Sequence, residues 1–474
     1  MEKLKEYFDG MIVKKGEQDL FSAMNIPSFL RDWILKRYAN EDGSIDVNYL
    51  KNELKRILPT KDEWPSILDK MVINGEQVRF LAKIQIIIDT SKGEVRFELP
   101  DFGVSNKQTL IPDNVWNRCK EQILGVNGEI WGVIDLKYTV SANKKQINRI
   151  EMCNFQCFRP YTIDLNYYKN ARKKFTIDEW INVLLGAIDY DHSGYESEEE
   201  KLMLLTRLLP SIENRLNLIE LAPKGTGKSY LFSQINKRGW LSTGGVMTRA
   251  KLFYDMKNKI DGLVSNYDYV ALDEISTIQF PNMDEMRGAM KGYMENGKYT
   301  VGVKAGSGMA GIVILGNISK DNMDIEKNMF KELPIIFKDS ALIDRFHGFI
   351  EGWKIPRMKE SLKIKDWAIN CEYFAEIMHQ LRSDITYKNL VDKIIDVPRD
   401  ADTRDTAAVK RVTTAYMKLF FPHWQQVEDV DFELFDKYCL SRAIRMRYIV
   451  KKQLGMMDKE FLTRPFADYK IKKV

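Results

Sequence analysis

Cysteine is sparse in this sequence, and its scarcity excludes a disulfide scaffold. The 474 residues hold five cysteines (Cys119, Cys153, Cys157, Cys371 and Cys439), scattered and odd in number. Reduced thiols in a reducing compartment are expected. Cys153 and Cys157 form the one close pair. No second Cys pair or His pair lies near them, so plain buried thiols are expected rather than a metal site. Long apolar runs are missing too. None reaches the length that spans a bilayer, which excludes a helical membrane anchor. The N-terminus, Met1-Glu2-Lys3-Leu4-Lys5-Glu6, has no apolar stretch of the signal-peptide kind. The expectation is a cytoplasmic protein with no membrane partner. Internal repeats and low-complexity tracts are also lacking.

What is present is an ordinary globular composition, 44% hydrophobic and 29% charged, long enough for two or three domains. The net charge of +5 is too small to imply a polyanion partner. Its distribution says more. Residues 436–474 carry eleven Lys/Arg against four Asp/Glu, a net of +7 that leaves −2 for the remainder. This basic end fits either a polyanion contact or a solvated helix face with a frayed tail.

Residues 1–72 form a candidate helical subdomain. Asn25-Ile26-Pro27-Ser28 makes a capped start before Phe29, Trp33, Ile34 and Tyr38, and a second helix over 48–58 stops at Pro59. From 73 to 168 the pattern turns to strands: 78–89 and 94–99 about the turn Thr90-Ser91-Lys92-Gly93, then 129–140 and 146–152 about residues 141–145. Short strands at this spacing suggest a small OB-like barrel, a fold that often binds nucleic acid. A helix opens at Phe175-Thr176-Ile177-Asp178 with Thr176 as N-cap. Strands and helices then alternate, predicting a parallel sheet flanked by helices, an α/β core over 169–355. A helical lid over 356–430 and a basic tail over 431–474 complete the expected division.

The chemistry begins after the apolar strand that ends at Leu221. Ala222-Pro223-Lys224-Gly225-Thr226-Gly227-Lys228-Ser229 has the strand–glycine loop–helix order that phosphate binding needs. The amides from Gly225 to Ser229, helped by the helix N-terminus, would wrap a β-phosphate. Lys228 would reach the β- and γ-phosphates of ATP, and Ser229 would hold Mg²⁺. Pro223, Lys224 and Thr226 complete the loop. Ala222 departs from the glycine usual at that place. Tyr269-Val270-Ala271-Leu272-Asp273-Glu274 reads as a buried strand ending in two carboxylates. Asp273 would bind Mg²⁺ through water, and Glu274 would act as general base on the attacking water. A third strand, 311–316, ends at Asn317, placed to orient that water. Arg345, in Ala341-Leu342-Ile343-Asp344-Arg345-Phe346-His347, is a candidate arginine finger to a neighbouring subunit's nucleotide. Arg404, with Arg411 as its alternative, is a candidate second arginine for the phosphates. Between Glu274 and Asn317, Gly297 to Gly308 reads as a β-hairpin in which Tyr299, Val301 and Val303 alternate. Its flanking Lys298 and Lys304 are candidate grips on a DNA backbone.

Together these residues resemble the AAA+ ATPases, and more narrowly those with a hairpin before the third motif strand, such as the MCM helicases. Lys304-Ala305-Gly306 sits where that group carries its hairpin lysine, and Asp344-Arg345-Phe346 resembles its arginine-finger segment. Over nearly the whole chain the sequence resembles the BrxL family, Lon-related ATPases of bacterial BREX phage-exclusion systems. Residues 218–230, 240–255, 267–275 and 292–318 carry that likeness, with further matches at 404–422 and 131–135. Arg249-Ala250-Lys251-Leu252-Phe253-Tyr254 is far more specific than the phosphate-loop motif. The resemblance implies an ATP- and Mg²⁺-dependent homo-oligomer, a hexameric ring or stacked rings, that encircles double-stranded DNA in antiviral defence. It also implies an MCM-like front domain and other BREX proteins as partners. Longer members carry a Lon-type domain with a Ser-Lys arrangement after the motor. A chain ending at Val474 leaves no room for it, so protease activity is not expected. The Cys sets of MCM zinc ribbons are missing from the front half. Two other roles stay open: a Lon-like protein-remodelling ATPase, which Tyr299 in the hairpin would suit, and a DNA clamp closed by ATP.

Overall fold

Two periodicities in the sequence build two separate cores. The computed structural model describes residues 2–16, 21, 26–40, 43–89, 92–124, 129–140, 149–257 and 259–472. They divide into two compact units, Met1–Arg37 with Tyr161–Val474, and Tyr38–Pro160. The stretch 1–72 therefore contributes to both. It is not wholly helical, because Ile12–Lys14 is a short strand paired antiparallel with Trp367–Ile369. Asn25 of the expected cap, Thr90 and Ser91 of the first turn, and the segment 141–148 lie outside the described residues. No helix of the described residues is long and apolar enough to cross a membrane.

In the unit Tyr38–Pro160 the strand Val78–Asp89 sends Phe80, Ala82 and Ile84 into one core, the period of two that a half-buried strand requires. The sheet order is Glu94–Glu98, Val78–Asp89, Glu129–Thr139, Arg149–Cys157, Thr109–Leu110. Its neighbours are antiparallel except the last pair, which is parallel. The two outer strands then meet. Val95 bridges Ile111, whose N–H donates to the Val95 carbonyl at 2.8 Å. Thr109 adds a hydroxyl bond to the Phe97 carbonyl at 2.5 Å. These bonds join the two outer strands at that point, so neither edge is left unpaired there. The helix Asp113–Leu124, which the sequence reading did not single out, lies between Thr109–Leu110 and Glu129–Thr139, the third and fourth strands of this sheet in chain order.

The larger unit is built on a five-stranded parallel sheet. Its order is Gly348–Glu351, Leu218–Ala222, Gly311–Asn317, Tyr269–Gln279, Gly239–Val246: fifth, first, fourth, third and second along the chain. Runs such as Ile312 to Leu315 and Val270 to Leu272 are wholly buried, as strands covered on both faces must be. The strand order reverses on either side of Leu218–Ala222, and ligands of open parallel sheets bind at the carboxyl ends of the strands beside such a point. The helix Ser441–Met457 packs Met446 against Gly348, where an added Cβ would meet Met446 at 2.9 Å. The long helix of the basic end is thus part of the core. Arg447 is fully buried between Asp344 (2.6 Å) and Asp405 (2.7 Å), Lys451 pairs with Asp405, Arg442 with Glu199 and Arg445 with Glu351. These charges are neutralised within the chain.

Candidate nucleotide site

The loop after Leu218–Ala222 owes its shape to two glycines. Gly225 has φ +82° and Gly227 φ +74°, left-handed conformations that cost glycine little. Successive amides in such a turn form a concave, anion-binding nest. The helix that follows, Lys228–Gln234, is short, so the loop amides themselves are the main source of donors. Ala222, the departure from the usual pattern, ends the strand as the register partner of Asn317. It is accommodated from across the sheet. A Cβ added to Gly352 would lie 2.4 Å from the Ala222 Cβ, so the missing side chain is at 352 and not at 222.

Two strand ends, Ala222 and Asn317, and the slip in Tyr269–Gln279 converge on the loop. Lys228 Nζ donates to Asn317 Oδ1 at 3.1 Å and to the carbonyls of Ala222 and Pro223, both at 3.3 Å. Burial holds the Lys228 amine below its ordinary pKa, opposed by Glu220, Asp273 and Glu274 and reinforced by Arg207. Ser229 Oγ donates to Asp273 Oδ2. The strand does not end in the two carboxylates as expected but runs on to Gln279; Asp273 is buried as its last paired residue before a slip in register, and its other oxygen accepts the Glu274 N–H at 2.8 Å. Glu274 is exposed at φ +48°, where the pairing with Gly239–Val246 slips between Asp273 and Ile278. Pro223 is half-buried, Lys224 is exposed and Thr226 is buried. Lys228, Ser229, Asp273, Glu274 and Asn317 are therefore brought together.

Ser229 and Asp273 fit a small hard cation. Their oxygens are in direct contact, and Mg²⁺ takes few protein ligands, filling its other positions with phosphate and water. Among the described residues no group of three or more His, Cys, Asp or Glu is placed to hold a metal alone. Cys119, Cys371 and Cys439 are buried, whereas Cys153 and Cys157 are only half-buried.

The arginines lie elsewhere. Arg345 precedes the strand Gly348–Glu351, and its carbonyl accepts from Asn217 Nδ2 at 3.4 Å. Asn217 is at the start of the loop strand, so roughly 17 Å of strand, at ~3.3 Å per residue, separates Arg345 from the phosphate loop of its own chain. Arg345 Nε contacts the Lys291 carbonyl (2.9 Å) and Glu295 (3.0 Å). Arg404 is beside it, bonded to Asp344 at 2.9 Å and sharing Glu295 at 3.3 Å. Arg411 is held at the same end, against His347 Nε2 at 3.0 Å. Arg404 and Arg411, the candidate second arginines for the phosphates, do not stand at the loop of their own chain, because the helix Thr403–Phe420 docks its start on Asp344.

The hairpin forms as Lys298–Val301 paired with Lys304–Ser307. Lys298 and Lys304 are exposed, and Lys304 Nζ lies 5.2 Å over the Tyr254 ring. Tyr299 is buried against Gly306 and Phe253 and does not present its ring to solvent. The exposed apolar residue is Val303 at the tip, at 96%.

Two residues under the loop escaped the sequence reading. Arg207 makes a two-pronged bond to Glu220 (3.0 and 2.6 Å) in the middle of the loop strand and reaches Thr226. A lone Glu within Leu218-Ile219-Glu220-Leu221-Ala222 was the available signal, since a buried carboxylate demands a partner.

Comparison with known proteins agrees with this geometry. Residues 150–467 match the family model described as "Lon-like protease BrxL-like, ATPase domain", and residues 6–138 match "BREX system Lon protease-like protein BrxL N-terminal". A "Lon-like protease BrxL" of Escherichia coli O9:H4 (strain HS) is 29% identical over 459 residues, covering 95% of this chain and 64% of that protein. One of Bacillus cereus (strain H3081.97) is 27% identical over 463 residues, covering 96% of this chain and 67% of that protein. The chain spans about two thirds of the length of these curated relatives. With an AAA+-like parallel sheet carrying the phosphate loop and family models matched along both units, this chain belongs to the BrxL family of Lon-like proteins, and residues 150–467 are its ATPase domain.

Proposed function

We propose that the chain hydrolyses ATP and assembles into a ring, hexameric or stacked, around double-stranded DNA. Hydrolysis would drive encirclement or translocation in BREX-type antiviral defence in the cytoplasm, alongside other BREX proteins. The observation that carries the hydrolytic part is the convergence of Lys228, Ser229, Asp273, Glu274 and Asn317 on neighbouring strands beside the loop. In this reading the loop amides cradle the β-phosphate and the Lys228 ammonium bridges the β- and γ-oxygens. Mg²⁺ held by Ser229 and, through water, by Asp273 would offset charge on those oxygens. The exposed Glu274 carboxylate takes a proton from the attacking water as its oxygen bonds to the γ-phosphorus and the bond to the β-phosphate oxygen breaks. Asn317, already within bonding distance of Lys228, orients that water.

Arg345 and Arg404 act in trans in this scheme, because both lie at the opposite end of the sheet from their own loop. The barrel in 38–160 is read as an OB-type DNA-binding module. Supporting it are the barrel's strand order, its one parallel pair and the helix between its third and fourth strands. Lys298 and Lys304 supply exposed charge for a phosphate backbone. A protein-remodelling role in the manner of Lon is favoured by one observation, the apolar Val303 at the hairpin tip. Electron microscopy with ATP and a short duplex tests the proposal. Rings threaded by duplex are expected; rings that form but leave the duplex free would favour remodelling, and full ATPase activity from monomers would remove the ring.

A further inference from the structure

We infer that Arg207, which lies outside every nucleotide motif, is a positioning residue that presets the phosphate loop together with the main-chain N–H of Met358. The inference rests on reading the loop as an ATP site. Arg207 lies in the turn Thr206–Leu208 and is wholly buried. Its Nη1 donates to the Thr226 carbonyl at 2.7 Å, and its Nη2 to Thr226 Oγ1 at 3.1 Å. In a trans peptide the C=O of one residue and the N–H of the next point in opposite directions. Pinning the Thr226 carbonyl down toward the core therefore turns the Gly227 N–H out, toward the face where phosphate would bind. Met358 does the same one residue earlier. Its N–H donates to the Gly225 carbonyl at 2.8 Å, which turns the Thr226 N–H away from Met358. Tyr190 closes the loop from the side. Its hydroxyl, buried with no partner among the described residues, is 2.7 Å from where a Cβ on residue 227 would stand.

The ion pair beneath the loop is accounted for by this role. A buried pair is a poor source of stability, since apolar residues of similar volume often replace it without loss. Glu220 takes two arms of the guanidinium and leaves Nη1 free for Thr226. That fork needs arginine, because lysine has one point of charge and no planar set of five donors.

Titration with mant-ATP, a fluorescent ATP analogue, alongside thermal melting separates positioning from mere support. Arg207→Met combined with Glu220→Met is expected to melt near wild type yet bind mant-ATP about tenfold or more weakly, from loss of two hydrogen bonds to the loop. Arg207→Lys keeps the pairing charge, and is expected to stay folded with a raised KM for ATP and a smaller change in kcat. Either folded variant binding within about twofold of wild type overturns the inference. If the double variant fails to fold, the lysine variant decides. Failure of the wild-type protein itself to bind mant-ATP would instead overturn the ATP reading.

Discussion

Glu274 sits in a left-handed backbone conformation that costs a non-glycine residue about 1–3 kcal/mol. Two local bonds hold it there: its N–H to Asp273 Oδ1 and the Thr277 hydroxyl to its carbonyl, both at 2.8 Å. The effect is to lift the carboxylate out of the strand beside a buried Asp273. Glu274→Gln preserves the shape and removes the base, so phosphate release should fall about 10²–10⁴-fold while mant-ATP binding persists. Turnover at the wild-type rate would take Glu274 out of the chemistry. The pair of carboxylates was legible in the sequence as the end of an apolar run. The bulge that separates them was not, because it depends on a slip in pairing with a strand about thirty residues earlier.

At the scale of elements, the hairpin and the last long helix exchange the roles their charges suggest. Residues 436–474 hold most of the excess positive charge, yet Arg445, Arg447 and Lys451 are engaged by buried carboxylates and Arg442 by the exposed Glu199. The hairpin has fewer cations, and both Lys298 and Lys304 remain exposed. If the hairpin grips DNA, Lys304→Ala should weaken duplex binding and reduce the slope of log affinity against log salt by about one. Binding unchanged at every salt concentration would remove Lys304 from the interface. Period-two alternation predicted the hairpin. It could not show that Tyr299 folds over Gly306, where the absent side chain makes room for its ring.

At the scale of the whole molecule, the separation of Arg345 from its own loop means that, on the proposed reading, the arginine would serve a neighbouring subunit's nucleotide. Mixing Arg345→Ala subunits with Lys228→Ala subunits should restore part of the ATPase activity that each loses alone, read as phosphate release against mixing ratio. Mixed rings without recovery would place the arginine's role within one chain. A second prediction concerns acid stability. Lys15, Arg31, Asp32 and Asp189 form a buried charge network that reaches Tyr230 on the phosphate-loop helix, with Lys15 Nζ 2.6 Å from Asp32 and 2.8 Å from Asp189. Burial alone would raise the Asp189 carboxyl, but Arg31 and Lys15 outweigh it and hold it below the usual carboxylate range. Its contribution is thus complete above the ordinary Asp pKa, about 3.9, and is lost as pH falls below that value. Melting temperature should fall as pH drops below about 4. Asp189→Asn should cost about 3–5 kcal/mol at neutral pH and flatten that acid dependence. A variant with the wild-type acid profile would show that the network is not its source.

The sequence alone determined the phosphate loop, the Asp273-Glu274 pair, Asn317 and the alternating order that makes a parallel sheet, because each depends on spacing within a few residues or on a simple period. Tertiary structure decided the rest. It placed Arg345 and Arg404 together at the far end of the sheet, moved the glycine missing at 222 to 352, buried Tyr299, and set Arg207 under Thr226. Those facts depend on pairing between segments distant along the chain, and no local pattern encodes which distant side chain will answer a buried charge or fill a gap.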